Sequence, residues 1–367
     1  MYKLLRPLLF RLDAERAHTF SLAGARLVQA TALSAVSSML AFEDDRLAQT
    51  LWGQTFPNPV GLAAGADKNA KLVPFWEAVG FGFVEVGSVS AQPSAGNPKP
   101  RAFRLPEDEA LINRMGLNND GAETVARRVQ SYAADRSRPL GINLAKTHDP
   151  SIMGDAAVED FRTSFRELAP QASYIVLNIS CPNTREGKTF ESPDALDALL
   201  RTIRDVQTEV GTGDVPLLLK LSPPPSERVV FDSQVEDVLA VAQAYDVDGF
   251  VATNTASDRA GLNASADRLA SIGTGGLSGK PLAKRATRLV QYIYQATDGA
   301  LPIIGVGGVH DADSAYAKIR AGASLVQLYT ALVYEGPGLV RRIKEGLVER
   351  LHNDGYACIS EAVGAGV

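Results

Sequence analysis

Cysteine, histidine and long apolar runs are all scarce in this chain, and each scarcity removes a class of protein. The 367 residues hold two cysteines, Cys181 and Cys358, and four histidines. Two thiols build no disulfide framework and point to a reducing, cytosol-facing compartment. Four scattered histidines with no carboxylate cluster leave no metal centre in view. No stretch approaches the roughly 18 uninterrupted apolar residues that a spanning helix requires. The opening MYKLLRPLLFRLDAERAH is broken by Arg6 and Pro7 and stopped by Arg11, Asp13, Glu15 and Arg16, so it is not read as a signal peptide. A protein neither exported nor membrane-spanning is expected. An excess of positive charge is missing too. The formal net charge of -5 lacks the basic footprint of nucleic-acid binders.

What is present is an ordinary globular composition, 45% hydrophobic and 22% charged, enough for one large core. The first 40 residues differ from the rest. Lys3, Arg6, Arg11, Arg16 and Arg26 outweigh Asp13 and Glu15, a local net of +3 that leaves -8 for the remainder. Leu5, Leu8, Leu9 and Leu12 recur at helical spacing, as do Phe20, Leu27, Val28, Val36 and Met39. Two short helices, apolar on one side and basic on the other, are expected. They form either a hairpin packed on the main domain or an interfacial membrane anchor framing a route for a lipid-soluble partner.

From about residue 50 the chain alternates short β-branched runs with amphipathic stretches, the signature of parallel βα architecture. Eight runs are assigned as strands: PVGLAAG (59–65), FVEVGS (83–88), LGINLAK (140–146), YIVLNIS (174–180), PLLLKLS (216–222), GFVATNT (249–255), PIIGVGG (302–308) and LVQLYT (325–330). Each is nearly continuous in apolar residues, as strands buried on both faces must be. Eight strands with crossovers predict an α/β fold, a closed (β/α)8 TIM barrel, over 41–367, with a small N-terminal helical extension over 1–40. An open doubly wound sheet is the alternative, and it usually has fewer strands. The connections 89–139 and 256–301 are too long for plain crossovers and are expected to be functional.

A barrel of this kind works at the C-terminal ends of its strands. Here those ends are dense in small and amide residues: Gly65 and Lys68, Gly87-Ser88, Asn143, Asn178 with Cys181 and Asn183, Lys220, Thr253-Asn254-Thr255, Gly305 to Gly308, and Tyr329-Thr330. Singly they mean little, since an asparagine after a strand is usually a turn former and a barrel lysine can snorkel. Together they would be costly inside a barrel without a polar ligand. The glycines after the seventh strand, with GGLSGK (275–280), suit a phosphate held by backbone N–H groups. The amides suit a flat ring of alternating donors and acceptors, such as an isoalloxazine or a pyrimidine. A lysine nearby stabilises the negative charge such a ring gains on reduction. Cys181 is the candidate base. Most free cysteines are buried small hydrophobes, but this one lies just past a strand end and before Pro182.

These residues resemble the dihydroorotate dehydrogenase family. The likeness runs through LDAERAH, GLAAGADKN, VEVGSVSAQPSAGNPKPRAFRLPEDEALINRMGLNNDGA, NISCPNT, ATNT, GGLSGKPL and IIGVGGVHDADSAYAKIRAGASLVQLYTAL, nearly the whole chain. The N-terminal extension, the FRLPED–INRMG loop and LVQLYTAL resemble the quinone-reducing class 2 branch. The resemblance implies oxidation of dihydroorotate to orotate in pyrimidine (UMP) synthesis, with FMN as cofactor and a membrane quinone as acceptor. It implies FMN held by Ala64, Gly65, Ser88, Asn143, Asn178, Lys220, Thr253, Ser278, Gly279, Gly307, Gly308, Tyr329 and Thr330. Substrate would be held by Lys68, Asn113, Arg114, Met115, Gly116, Leu117, Asn178, Asn183, Asn254 and Thr255. Cys181 would be the base, with Lys68 adding positive charge, and His18, Arg104 and Tyr329 would line the quinone route. A monomer on the cytoplasmic side of the cell membrane, peripherally attached, is the corresponding expectation.

Two positions depart from the branch's pattern. Class 2 members usually carry serine where Cys181 stands, and Leu117 replaces a usual phenylalanine. Ser180 is a poor substitute, because adjacent residues on an extended chain point to opposite sides. Cysteine is the base of soluble class 1 enzymes that use fumarate or NAD, which is the nearest rival reading. A catabolic FMN barrel acting on pyrimidines is another, opposed by the 113–117 loop and the lack of iron–sulfur cysteine clusters. A non-catalytic flavin-binding barrel is the rival from a different class.

Overall fold

A computed structural model describes residues 2–134, 136–180, 189–225 and 233–367. Eight parallel strands close into a barrel in simple sequential order: Val60–Leu62, Phe83–Val89, Leu140–Leu144, Tyr174–Asn178, Leu217–Leu221, Gly249–Ala252, Ile303–Val306 and Leu325–Leu328. Each observed strand lies within, or overruns by one residue, the run assigned to it from sequence. The open sheet is excluded. Helices between successive strands shield the barrel, and their inner faces meet the outward side chains of the strands in one continuous core.

The barrel's lower end is plugged by rings. Phe56, Phe83 and Tyr174 are wholly buried there, with Trp52 from the ribbon Gln49–Leu51/Gln54–Phe56 packed beneath. Two glycines make room for them. A Cβ on Gly61 would lie 2.2 Å from the Phe83 ring, and one on Gly141 would lie 2.1 Å from the Tyr174 ring. The aromatic plug leaves the upper half of the barrel free for polar side chains.

The extension differs from the expected pair of helices. Three form: Tyr2–Arg11, Ala14–Thr31 and Leu33–Leu40. Asp13 separates the first two, because its carboxylate accepts from the N–H groups of Glu15 and Arg16 and caps the second helix. That helix turns a face of mostly small residues inward. Ala14, Ala17, Ser21 and Ala25 recur at helical spacing and line open space rather than filling it. Glu15 anchors the helix to the body, accepting from Arg101 at 3.0 and 3.1 Å. The hydrogen bonds from Arg101 and Lys99 outweigh the opposing effect of burial and hold the Glu15 carboxyl below its ordinary range.

The two long connections are not plain loops. Ala102–Leu105 and Ala110–Asn113 form a hairpin in the first, and Gly276–Gly279 of the second pairs with that hairpin to complete a three-stranded antiparallel sheet. Asp108 fastens the two further, accepting from the backbone of Asn263 and Ala264.

Buried lysines give the fold a pH signature. Lys318 is fully buried, donating to Ala283 O at 3.2 Å and Thr287 Oγ1 at 3.0 Å, and burial pulls its ammonium down to about 7. Lys344, donating to Phe42 O and Gly80 O, is likewise pulled down by burial, to about 8. The unfolded chain keeps these protons up to about pH 10.4, so between about 7 and 10 it binds more protons than the folded one. Stability therefore rises with pH across that window, by on the order of 1 kcal/mol per group for each unit of depression. Urea melts at pH 7 and pH 9 check this; a lower midpoint at pH 9 would contradict it.

Candidate active site

The register of the barrel brings the strand ends together. Gly87 lies beside Asn143, Asn178 beside Lys220, and Lys220 beside Val251. Their side chains join in one hydrogen-bonded row. Asn254 Nδ2 donates to Asn178 Oδ1 at 3.1 Å, and Asn178 Nδ2 donates to Ser88 Oγ at 3.1 Å. Ser88 Oγ donates in turn to Asn143 Oδ1, and Asn143 Nδ2 reaches Glu85 Oε1 at 3.0 Å.

Above this row opens a cavity of about 690 Å3, with a wall that is mostly apolar. At its floor stand Ser88, Asn178, Lys220, Thr253, Asn254 and Thr255. One side is made by Ala64, Gly65, Ser278, Gly279, Gly307, Gly308, Tyr329 and Thr330, another by Lys68, Asn113, Met115, Gly116 and Leu117. The cavity then continues between the barrel and the N-terminal helices, past His18 and Arg104, to Leu5 and Leu9.

Two expected residues stand elsewhere. Asn143 does not line the cavity; it is fully buried behind Ser88 and acts on the wall through it. Arg114 does not line it either. Its guanidinium donates to Thr274 O at 2.9 Å and to Ile272 O, and stacks 4.6 Å from the Phe103 ring centroid. Its side chain therefore ties the two insertions together. Cys181 and Asn183 lie outside the described residues. The hydroxyl of Ser180 is committed elsewhere, donating to Lys220 O at 2.8 Å while Asn254 Nδ2 approaches it at 3.2 Å.

Two residues not anticipated from sequence support the floor, Gln327 lining it and Glu85 lying beneath. Glu85 is fully buried inside the barrel, and Gln327 Nε2 donates to its Oε2 at 2.7 Å. Both hide in otherwise apolar strands, and an isolated acid within FVEVGS was the available signal.

The wall has features that fit a phosphate-bearing flavin. Gly279, Gly307 and Gly308 have φ of 106°, 105° and 75°. A Cβ on Gly308 would lie 2.3 Å from Ala283 N, and one on Gly279 would lie 2.5 Å from Glu109 O. Only glycine allows that backbone to turn so tightly. Beside it the Ser278 and Thr330 hydroxyls meet at 2.8 Å. Thr255 Oγ1 and Gln327 Oε1, both buried, have no partner among the described residues, as expected where a polar ligand supplies one. Among the described residues no group of histidine, cysteine or carboxylate side chains could hold a metal.

Charge in the cavity is shaped by burial. Lys68, donating to Gly65 O at 2.9 Å, is pulled down to about 8 by burial and then by Arg101. His18 falls to about 4, first through burial and then through repulsion by Lys68. The imidazole is therefore neutral near pH 7. It sits 6.3 Å, ring to ring, from Tyr329, whose phenol burial pushes up to about 12.

Comparison with known proteins gives a consistent result. The family model described as dihydroorotate dehydrogenase matches residues 46–351. A "Dihydroorotate dehydrogenase (quinone)" of Natronomonas pharaonis is 45% identical, covering 100% of this chain and 99% of its own. One from Deinococcus radiodurans is 44% identical over the whole of both chains. Among solved structures, that of the Eimeria tenella enzyme in complex with ferulenol superposes with a TM-score of 0.83 at 32% identity, covering 96% of this chain and 95% of that one. A barrel that matches the family model over residues 46–351, extended by an N-terminal segment that the quinone-type relatives match in full-length alignment, belongs to the dihydroorotate dehydrogenase family, in its quinone-dependent branch.

Proposed function

We propose that this protein oxidises dihydroorotate to orotate, a step of pyrimidine (UMP) synthesis, using FMN and a quinone delivered along the N-terminal helices. The observation that carries the reading is one continuous cavity. It joins an amide-and-lysine floor, a glycine-hydroxyl cradle and an apolar corridor under the helices. Ser278, Gly279, Gly307, Gly308 and Thr330 would hold the phosphate, while Ser88, Asn178, Lys220 and Thr253 would meet the ring. Bound there, the flavin supplies a two-electron acceptor for the hydride from C6 of the substrate.

The chain's own residues do the rest. Cys181 takes the proton from C5. Asn113, Asn178, Asn183 and Asn254 orient the ring amides and the carboxylate, and Lys68 adds positive charge beside them. Holding the substrate in one pose makes a weak base effective. Met115, Gly116 and Leu117 close the pocket from the insertion side. Gly116 and Leu117 have φ of 71° and 52°, a left-handed pair clamped from outside by Asn97, whose Nδ2 donates to Arg114 O. The corridor under the helices suits an apolar quinone head, with His18 and Tyr329 at its inner end.

Attachment to the membrane is peripheral in this reading. Among the described residues no helix is long and apolar enough to cross a membrane. Leu4, Leu5, Leu8, Phe20 and Leu27 are exposed on the first two helices, next to Lys3. An apolar face with basic flanks is what an interfacial helix presents to anionic lipid. Anaerobic addition of dihydroorotate should bleach the protein's flavin absorbance, and a ubiquinone analogue should restore it. Flavin that dihydroorotate leaves coloured would overturn the reading in favour of a non-catalytic binder.

A further inference from the structure

Glu85 is the odd group of the barrel. It has no exposed surface, sits directly above the aromatic plug and reaches no solvent. A buried carboxylate costs several kcal/mol unless charge and hydrogen bonds offset it. Here Asn143 Nδ2 at 3.0 Å, Gln327 Nε2 at 2.7 Å and the Tyr174 hydroxyl at 3.4 Å all point at it. Lys220 Nζ lies 3.9 Å from Oε1. That is longer than a direct hydrogen bond, and the same lysine lines the cavity above. Lys220 therefore stands between a fixed negative charge below and the cavity ligand above.

Apolar side chains would fill this layer at lower cost, as they do one layer down. A charge retained in such a place has an electrostatic effect on whatever lies above it. We propose that Glu85 is the fixed counter-charge of the site: it orients Lys220 and the Asn143–Ser88–Asn178 row, and it offsets part of the lysine's charge so that reduction of the bound flavin is held in check. This rests on the flavin reading given above. Reduction adds negative charge to the ring, Lys220 stabilises it, and Glu85 opposes it through the low-dielectric floor. A poise kept low favours release of electrons to the quinone.

The effect reads out as a potential, which a merely structural role would not move in a set direction. Glu85→Gln removes the charge and keeps the shape. Gln327 can accommodate the new amide by turning its own, because its Oε1 has no partner among the described residues. In purified holoenzyme, the midpoint potential of the Glu85→Gln flavin should rise by about 30 mV, a tenfold shift toward the reduced form for a two-electron couple. Tyr174→Phe removes a donor from the carboxylate on the side away from the cavity, and should move the potential the opposite way by a smaller amount. A Glu85→Gln potential that is unchanged or lower overturns the proposal. Should that variant fail to retain flavin, Tyr174→Phe decides alone, and an unchanged or raised potential contradicts it. Flavin content and bleaching by dihydroorotate in the unmodified protein are measured first, so that failure of the functional reading is seen separately.

Discussion

Cys181→Ala should slow flavin reduction by dihydroorotate by about a hundred- to ten-thousand-fold, the range typical for loss of a positioned base, while leaving reoxidation by quinone almost unchanged. Cys181 follows Ser180, which is bonded to the floor by Lys220 O and Asn254. That bonding removes the neighbouring hydroxyl from contention as the base. Cys181→Ser should keep more activity than the alanine variant, because an alcohol can still pass on a proton. A free thiol titrates near about 8.5, far below an alcohol. The rate of the first half-reaction should thus climb at lower pH in the native protein than in the serine variant. Anaerobic stopped flow across pH measures both. Equal losses for the alanine and serine variants would show that the side chain at 181 is not the base.

A complementary split is expected at His18. Its imidazole is half-buried and neutral, beside Tyr329 at the inner end of the helical corridor. His18→Leu keeps bulk and apolar contact but removes the ring nitrogens. A quinone oxygen left without its partner costs about 1–3 kcal/mol. The variant should therefore lose about five- to 150-fold in kcat/KM for quinone. Flavin reduction by dihydroorotate should be unaffected. With its pKa at about 4, His18 should also leave no step near pH 6.5 in the quinone profile. Equal slowing of both half-reactions would place His18 in the substrate pocket or in the fold instead.

The barrel was legible because strands buried on both faces are written as unbroken apolar runs, and all eight were found that way. The candidate site was legible where function puts polar residues at strand ends, as with Asn178, Lys220 and the Thr253–Thr255 run. Three features were not. Glu85 and Gln327 sit within strands, where one polar residue among apolar neighbours looks like noise until the register points it inward. The sheet shared by the insertions uses GLSG, a piece too short and too small-sided to show a two-residue period. A route under the helices was expected, but its lining by the small residues Ala14, Ala17, Ser21 and Ala25 was not, since a pattern built from what is missing carries little hydrophobic periodicity. The direction of the Arg114 side chain was not legible either: the motif around it lines the cavity, but its long side chain turns back to the carbonyls of Ile272 and Thr274.

The most direct test of the account is acceptor choice. Dihydroorotate-reduced protein, with and without residues 1–40, is offered a soluble ubiquinone analogue, fumarate and NAD in parallel. Flavin bleaching by dihydroorotate serves as the check that each form is folded. Rapid reduction of the quinone alone is expected, sharply weakened by the truncation while bleaching persists. Reduction of fumarate or NAD that survives the truncation would contradict it, making the cysteine the better guide to the acceptor and the N-terminal helices packing alone.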